Sequence, residues 1–319
     1  MLKTLPRAFL PEFLLSPSDR MVAVTSDLRQ STGWAKFLSS QGWEVADIDT
    51  NGKKAKAYVR KIPFLGSVVK IQRPLTVPSA KDINQFAKKH RALFVKLEPP
   101  LTQDSTALNK NGFEPDPSPN LPTKTIWLDL TEGHEDLWRR LSKDTRQSIR
   151  KTVGKLEIKD FKFGEKEFNK QLAHFYGLLA ESGKRGGFWP TPLKELNQKS
   201  RAFGEDALLF LVFSSNQPLA GGLLFMAGET AFFHSIGSSR EGQKKYAPYF
   251  LVWEIIKRLK VKYLDLEGIA DPRFPQTKKW EGFTIFKRKW GGKEISYPKP
   301  LIKFYRWPIK LIFKIGELL

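Results

Sequence analysis

Hydrophobic and polar positions follow two periodicities along the first half of the chain. Short apolar runs and strict alternation are typical of strands, and apolar positions three or four residues apart are typical of helices. The first pattern predicts strands at Met21–Ser26, Lys54–Lys61, Ser67–Ile71, Ala92–Leu97 and Ile126–Leu130. The second predicts helices at Thr32–Gln41 and Ser79–His90. Four prolines within 114–123 predict an extended connector between the last two strands.

The second half of the chain repeats this order of elements. Strands are predicted at Ala207–Phe213, Gly221–Ala227, Glu229–Ile236 and Tyr263–Leu266. Helices are predicted at Glu135–Lys155, Phe168–Ser182 and Ala247–Lys260. Both halves run strand, turn, strand, helix and a strand that ends in an acidic residue. We interpret this order as a duplication of one unit in an α/β (α+β) protein, although any mixed chain shows some periodicity.

The composition is that of a folded protein with room for two domains. The chain has 319 residues, of which 40% are hydrophobic and 13% aromatic, so it can bury a sizeable core. We expect a first domain of 1–134 together with 300–319 and a second of 135–299. The lack of cysteine excludes disulfides, thiol nucleophiles and cysteine-based zinc sites. The four histidines lack the spacing of metal ligands, so no metal site is expected.

The charge of the chain is strongly positive. It carries 54 Lys and Arg residues against 33 Asp and Glu residues, a formal net charge of +21. Such a charge favours a polyanionic partner, which can be a nucleic acid, a phosphorylated ligand or an anionic membrane surface. Prolines and an acidic residue interrupt the apolar N-terminus, and no run approaches the roughly 18 apolar residues of a membrane span. We therefore expect a cytoplasmic protein.

The segment Gly282–Gly292 combines three cations with aromatic residues and two final glycines. If it forms a strand, side chains alternate, so that Lys287 and Lys289 face one way and Phe286 faces the other. A lysine on a rigid strand can stabilise an oxyanion or a phosphate. The competing interpretation is a solvated edge strand whose lysines prevent pairing with other strands.

Two further segments concentrate positive charge. The helix predicted after Glu135 carries a row of arginines and lysines over 139–155, which can hold phosphates or simply face solvent. Near the C-terminus, Lys303, Arg306, Lys310 and Lys314 are spaced 3, 4 and 4 residues apart. One helix would carry them on one face beside aromatic residues, as in helices that lie at a membrane interface. Packing of this helix on the domain is the alternative.

One segment of the second half can be tested as a binding site for an acyl carrier. An N-acetyltransferase that uses acyl-coenzyme A needs a glycine-rich turn that opens a helix, so that backbone N–H groups meet the pyrophosphate. The segment Ser238–Tyr249 has the required position between a strand and a helix. Lys244, Lys245, Tyr246 and Pro248 fill it with bulk, and Pro248 removes an N–H donor. The pyrophosphate pocket is therefore expected to be closed.

Several segments follow one another in an order typical of one protein family. They are Gln30–Lys36, Lys96–Pro99, Gly112–Phe113, Pro122–Leu130, Lys143–Lys155, Lys245–Ile255, Leu264–Ile269 and Gly282–Gly292. Together they resemble the Fem family (FemABX, including MurM-like enzymes). These aminoacyltransferases build the peptidoglycan cross-bridge from aminoacyl-tRNA.

The resemblance implies a fold, a reaction and partners. The fold would be two N-acetyltransferase-like (GNAT-like) subdomains in tandem, without the helical-hairpin arm of some members. The reaction would move an amino acid from aminoacyl-tRNA to the stem-peptide side-chain amine of a lipid-linked or nucleotide-linked peptidoglycan precursor. Aminoacyl-tRNA would be a co-substrate and no other cofactor is expected. We expect a monomer at the inner face of an anionic membrane.

The resemblance also implies roles for individual residues. Lys287 matches the lysine near the reacting carbonyl, with Phe286 beside it, so these two are the expected catalytic residues. The expected substrate-binding residues are Lys36, which would contact the precursor's phosphates, and Trp34, Tyr246, Arg185 and Glu98. Arg185 stands in for an arginine that relatives carry later, where this chain has Phe188–Pro192.

Other interpretations stay open at this point. Glu98 and Asp265 end predicted strands, where a carboxylate can take a proton from an ammonium group or serve as a structural cap or ion pair. The fold would also suit an N-acyltransferase that uses another acyl donor. The charge alone would suit a nucleic-acid-binding protein with no catalytic activity.

Overall fold

The structure, a computed structural model, describes residues 27–50, 52–101 and 106–316. The predicted strand Met21–Ser26 lies outside these residues. The described residues form two compact units. The first takes the residues up to Thr123 and those from Ser296 onward, and the second is Lys124–Ile295. The strand predicted at Ile126–Leu130, within the expected first domain, belongs to the second unit, because it pairs with the strand Tyr263–Gly268.

The described residues contain thirteen strands, which form two sheets. In chain order they are β1 Glu44–Thr50, β2 Lys53–Ile62, β3 Gly66–Gln72, β4 Ala92–Glu98, β5 Glu114–Pro115, β6 Lys124–Asp129, β7 Glu157–Lys162, β8 Ala207–Ser214, β9 Gln217–Ala227, β10 Thr230–Ser238, β11 Tyr263–Gly268, β12 Lys293–Ser296 and β13 Leu301–Phe304.

Helices connect and cover the strands. In chain order they are α1 Thr32–Ser40, α2 Ala80–Lys89, α3 His134–Arg140, α4 Lys143–Arg150, α5 Phe168–Gly186, α6 Leu193–Phe203, α7 Arg240–Lys244, α8 Ala247–Arg258, α9 Glu281–Arg288 and α10 Trp307–Gly316.

The first unit is built on a six-stranded sheet in the order β1-β2-β3-β4-β13-β5. Strands β1, β2 and β3 form an antiparallel meander. Helix α2 then crosses over, so that β4 returns parallel to β3, and β13 pairs antiparallel with β4. The crossover helix buries Ile83 and Phe86 against Val69, Ile71 and Val95 of the sheet, which makes these residues the core.

The second unit repeats the same arrangement. Its seven-stranded sheet has the order β12-β6-β11-β10-β9-β8-β7. Strands β8, β9 and β10 form the meander, α8 is the crossover helix, β11 is parallel to β10, and β6 pairs antiparallel with β11. The duplicated α/β unit predicted from the order of elements is therefore confirmed. Each unit places a parallel strand pair at the centre of its sheet.

The prediction of one long helix over Glu135–Lys155 is wrong. Two helices, α3 and α4, occupy this segment, because Leu141 has an extended backbone and Ser142 begins a new helix. The Ser142 hydroxyl accepts a hydrogen bond from the Thr145 amide at 3.2 Å, which caps α4. The exposed cations are thus divided between two short helices.

The interpretation of Gly282–Gly292 as a strand is also wrong, because helix α9 covers most of this segment. The aromatic spacing favours the helix, since the ring of Phe286 packs at 5.9 Å on that of Trp290, four residues later and just past the helix end. The buried Thr284 holds the helix to the preceding segment, because its hydroxyl accepts the Ala270 amide at 2.8 Å. Lys287 therefore lies on a helix and not on a strand.

The C-terminal cations do not share one helical face. Lys303 lies on β13, where its Nζ donates to Asn84 Oδ1 at 2.9 Å and to the Asn111 carbonyl at 2.7 Å. Lys310, on α10, forms an ion pair with Glu114 at 3.0 Å. Pro308 falls at the beginning of α10, where a missing N–H costs little. The side chain of Lys314 lies outside the described residues.

Two glycines in different surroundings, Gly242 on α7 and Gly282 on α9, test how tightly the second unit is packed around α7. A Cβ at Gly242 would overlap the carbonyl oxygen of Leu219, whereas a Cβ at Gly282 would meet nothing within 4 Å. Gly242→Ala should lower the free energy of unfolding by about 1–3 kcal/mol, because backbone must move to make room. Gly282→Ala should raise it slightly, by less than about 1 kcal/mol, because alanine favours a helix. Urea unfolding of both variants measures the difference, and equal stabilities would contradict the packing described.

Candidate active site

The central parallel strands of the second unit separate after a short ladder. Strand β10 pairs with β11 over Thr230–Phe232 and Tyr263–Asp265. Strand β10 then continues to Ser238 with a bulge between Phe233 and Ser235. Strand β11 continues to Gly268, and its register with β6 shifts after Asp265. In the first unit the equivalent strands stay paired up to Gln72 and Glu98, so the open strand ends are a feature of the second unit.

Lys287 reaches the end of β11 from helix α9. Its Nζ donates to the carbonyl oxygen of Gly268 at 2.6 Å and lies 3.3 Å from that of Glu267. These carbonyls belong to the part of β11 that has left β10. An ammonium group has three N–H bonds, so one remains beyond these two carbonyls. The amine is thus held at the separated strand ends, with a donor left for another acceptor.

Burial makes the amine of Lys287 unusually acidic. Removal from water lowers the pKa of Lys287 to about 8, although the charges of Glu267 and Asp265 oppose the shift. The amine is therefore still mostly protonated at pH 7, and it loses its charge as the pH rises through about 8. A partly desolvated cation interacts more strongly with a developing negative charge than a solvated one does.

A buried carboxylate shapes the backbone that Lys287 contacts. Asp265 is 1% exposed, and its Oδ1 accepts the Glu267 amide at 2.7 Å and the Thr125 hydroxyl. Glu267 has φ of 61°, a left-handed conformation that is costly for a residue with a side chain. The Asp265 hydrogen bonds stabilise this turn, which directs the last two carbonyls of β11 toward Lys287.

Phe286 packs on the core of the second unit. Its ring lies 5.4 Å from Tyr249 and 5.9 Å from Trp290. Neighbouring helical residues point about 100° apart, so Phe286 and Lys287 leave α9 in different directions. The contacts of Phe286 support a role in orienting α9, and the catalytic role expected from the resemblance stays a prediction.

Tyr246 lies at the N-terminus of α8, in a left-handed conformation with φ of 58°. Its hydroxyl accepts from Lys151 Nζ at 3.3 Å, and the same amine lies 4.8 Å from its ring. One turn later, Tyr249 contacts Phe286 of α9. The first turn of α8 is thus close to the helix that carries Lys287. The short helix α7 fills the segment before Tyr246, in which a pyrophosphate-binding turn would lie.

Arg185 connects α5 to the end of β10. Its Nη2 donates to the Ser238 carbonyl at 2.6 Å and also lies within 3.2 Å of the Ser182 and Ser238 hydroxyls. Its Nη1 donates to Glu181 at 3.1 Å. These contacts support a role in positioning the strand end, and direct substrate binding by Arg185 stays a prediction.

Sequence reasoning missed a polar pair at the bulge of β10. His234 lies between Phe233 and Ser235, where the register shifts. Its Nε2 is 3.1 Å from Nζ of Lys199, a buried residue of α6 that also lies 3.5 Å from Glu195. Bulges often direct side chains toward active sites. Neither the bulge nor the pairing with α6 has a local sequence signal.

The other predicted site residues belong to the first unit. Lys36 is exposed on α1. Trp34, two residues earlier, donates from Nε1 to Gln72 Oε1 at 3.1 Å. Glu98 is buried at the end of β4 and accepts the Asn120 amide at 2.8 Å. Burial raises the pKa of Glu98, while the charge of Arg73 and hydrogen bonds from Gln72 and Asn120 oppose the shift. Gln72 therefore connects Trp34 to Glu98.

Several solved structures share the fold of this chain. FemX matches with a TM-score of 0.75 over 90% of this chain and 94% of that chain, at 16% sequence identity. The C-terminal domain of a putative lysylphosphatidylglycerol synthetase from Agrobacterium fabrum matches with 0.58 over 92% and 93%, at 12% identity. A tandem GNAT protein from the clavulanic acid biosynthesis pathway matches with 0.50 over 82% and 83%, at 11% identity.

These likenesses confirm the predicted fold class, a tandem pair of GNAT-like α/β units, and the resemblance to the Fem family at the level of the fold. No protein-family model matches the sequence, and no curated protein matches it. Among the described residues, no helix combines the length and the apolar character that a membrane crossing needs.

The electrostatics of the site can be tested by removing one charge. Glu267 opposes the lowered pKa of Lys287, so Glu267→Gln should move that pKa further below about 8. Glu281→Gln is the matched control, because Glu281 lies on α9 but pairs with Arg288 at 3.5 Å. NMR titration of the labelled lysine amine measures both variants. An unchanged or higher pKa in Glu267→Gln would contradict the arrangement.

Proposed function

We propose that the protein is an aminoacyltransferase of the Fem family. It moves an amino acid from aminoacyl-tRNA to the stem-peptide side-chain amine of a peptidoglycan precursor. The observation that carries the proposal is the placement of Lys287, a desolvated cation at the point where β10 and β11 separate. The fold shared with FemX supports it.

The reaction needs little besides positioning and charge stabilisation. The acceptor amine, after loss of a proton, attacks the ester carbonyl and forms a tetrahedral intermediate with a negatively charged oxygen. The carbon–oxygen bond to the ribose then breaks, the amide forms, and the ribose oxygen takes a proton. The third N–H of Lys287 can donate to the charged oxygen, which lowers the barrier without any covalent enzyme intermediate.

The region before α8 favours an RNA-linked donor over coenzyme A. Helix α7 and Tyr246 occupy the segment in which backbone N–H groups would meet a pyrophosphate, and Pro248 lacks an N–H. Exposed cations lie on α4 and directly after it, and they suit a phosphate backbone. They are Lys143, Arg150, Lys151 and Lys155.

Two alternatives make different demands on the same residues. An N-acyltransferase with another acyl donor would also depend on Lys287, so the donor itself must be varied to distinguish it. A nucleic-acid-binding protein without catalytic activity would tolerate the loss of Lys287. The assay therefore combines a pool of charged tRNA with three acceptors, which are a lipid-linked precursor, a nucleotide-linked precursor and phosphatidylglycerol vesicles. Acetyl-coenzyme A serves as the competing donor.

We further propose that the protein acts as a monomer at the inner face of an anionic membrane. The exposed apolar residues of α10 support this contact better than the cations do. Trp307, Leu311 and Ile312 are 78%, 52% and 62% exposed, whereas Lys303 and Lys310 are held by partners within the first unit.

Lys287 should be the residue most sensitive to substitution. Lys287→Met should lower turnover by about 10²- to 10³-fold, the usual effect of losing one donor to an oxyanion. Lys293→Met is the control, because Lys293 is exposed on β12. Circular dichroism and thermal unfolding establish that both variants fold. Near-normal turnover of Lys287→Met would remove the residue from the mechanism.

The pH profile follows from the lowered pKa of Lys287. If the cation is the active form, kcat/KM should fall as pH rises through about 8, because the folded group loses its proton there. Lys287→Arg keeps its charge at this pH, so the alkaline decline should disappear even if the rate is lower. An identical decline in both proteins would assign it to another group.

Lys36 should bind the acceptor without taking part in the chemistry. It is exposed on α1, and a lysine binds a phosphate as a point charge. Lys36→Ala should therefore raise KM for the acceptor far more than it lowers kcat. Lys88→Ala, an exposed lysine on α2, should change neither constant. A large fall in kcat with an unchanged KM would move Lys36 into the catalytic set.

A further inference from the structure

Trp189 is the most exposed tryptophan among the described residues, at 98% of its full surface. It lies in the connection between α5 and α6, at the centre of the sequence Gly187-Phe188-Trp189-Pro190-Thr191-Pro192. Burying a tryptophan gains more free energy than burying most side chains. The fully exposed ring of Trp189 is therefore available to a partner that would cover it.

The backbone around Trp189 is anchored and holds the ring outward. Gly187, with a left-handed φ of 66°, caps the C-terminus of α5. The Phe188 amide donates to the Gly183 carbonyl at 3.1 Å. A Cβ at Gly183 would lie 2.6 Å from the Phe188 oxygen and 3.1 Å from Pro190. This close fit, and the fixed φ of the prolines, keep Trp189 from folding back onto the unit.

The same connection borders the helix that carries Lys287. The ring of Phe188 meets the ring of Phe283 edge-on, with centroids 5.3 Å apart and planes at 74°. Phe283 and Lys287 are four residues apart on α9, so they share one face of that helix. Trp189 is thus next in sequence to a residue that packs on the Lys287 face of α9.

Two exposed lysines flank Trp189 in the sequence. Lys184, in the last turn of α5, and Lys194, at the beginning of α6, are both exposed. An exposed flat ring with a lysine five residues away on each side suits a ligand with an aromatic face and a phosphate, because the ring stacks while the cations attract the charge. A nucleotide has both features.

We propose that Trp189 is a stacking platform for a nucleobase of the substrate. This inference rests on the proposed function, in which nucleotides occur in two substrates. One is the 3′-terminal base of the RNA donor, and the other is the base of a nucleotide-linked acceptor. Stacking on Trp189 would place the attached ester or phosphate near the Lys287 face of α9.

Binding tests the platform without any transfer reaction. The probes are an RNA hairpin that ends in CCA and the mononucleotide UMP, each measured by calorimetry with the full chain. Trp189→Ala should weaken binding of at least one probe by about 5- to 150-fold, the range for one base–aromatic stack. Trp189→Phe should retain most of the affinity. Phe64→Ala removes an equally exposed ring, at 103%, in the first unit and should bind both probes normally.

The outcomes separate the sources of the base. Loss of RNA binding alone assigns the platform to the donor, and loss of UMP binding alone assigns it to the acceptor. Quenching of tryptophan fluorescence by the bound probe, absent in Trp189→Phe, would show direct stacking. Unchanged affinity of Trp189→Ala for both probes would overturn the proposal. So would a selective loss of binding to anionic vesicles, because the ring would then contact lipid.

Binding and transfer are measured separately, so failure of the platform can be distinguished from failure of the proposed reaction. Lys293→Met should bind both probes like the unaltered chain, since Lys293 is exposed on β12, outside the connection that carries Trp189. If the unaltered chain binds nucleotides through Trp189 but transfers no amino acid, the platform stands and the proposed reaction fails. If transfer occurs and Trp189→Ala neither binds more weakly nor raises KM for either substrate, the platform fails alone.

Discussion

The carboxylate of Asp265 is the group on which the active-site region of the second unit depends. It is buried in the middle of a sheet, where an ionised group is costly unless donors surround it. Its donors come from the Thr125 hydroxyl of the neighbouring strand and from the Glu267 amide two residues on. Accepting from Glu267 requires the chain to turn sharply, so β11 cannot continue as a regular partner of β10. The same turn directs the carbonyls of Glu267 and Gly268 at Lys287.

The first unit shows what the same architecture does when the central strands stay together. There β3 and β4 pair to their ends, and the buried charge of Arg73 next to these ends is paired with Asp27. Arg73 donates to Asp27 at 3.0 Å and lies 3.4 Å from the Tyr297 ring. Burial would raise the pKa of Asp27, but the charges and hydrogen bonds of Arg29 and Arg73 keep it lowered. Because these strand ends stay paired, the described part of the first unit has no opening between its central strands like that of the second unit.

Helix α9 shows why the candidate site was only partly predictable. Its sequence contains alternating charged and aromatic residues, which also fit a strand over short lengths. The packing of Phe286 and Trp290 against Tyr249 decides in favour of a helix, and Tyr249 is distant in sequence. The C-terminal segment is similar, because pairing of Leu301–Phe304 with β4 places Lys303 on a strand. In both cases a partner far along the chain overrides the local pattern.

The amino-acid sequence by itself determined the duplicated order of strands and helices, the basic character and the identity of Lys287 as the residue to examine. Those properties depend on local periodicity, on composition and on short segments, all of which are present in the linear chain. Only the tertiary structure decided that β10 and β11 separate, that the amine of Lys287 is desolvated beside two carbonyls, and that Lys199 meets His234. Desolvation and hydrogen-bond geometry arise from residues brought together by folding, so no local pattern encodes them.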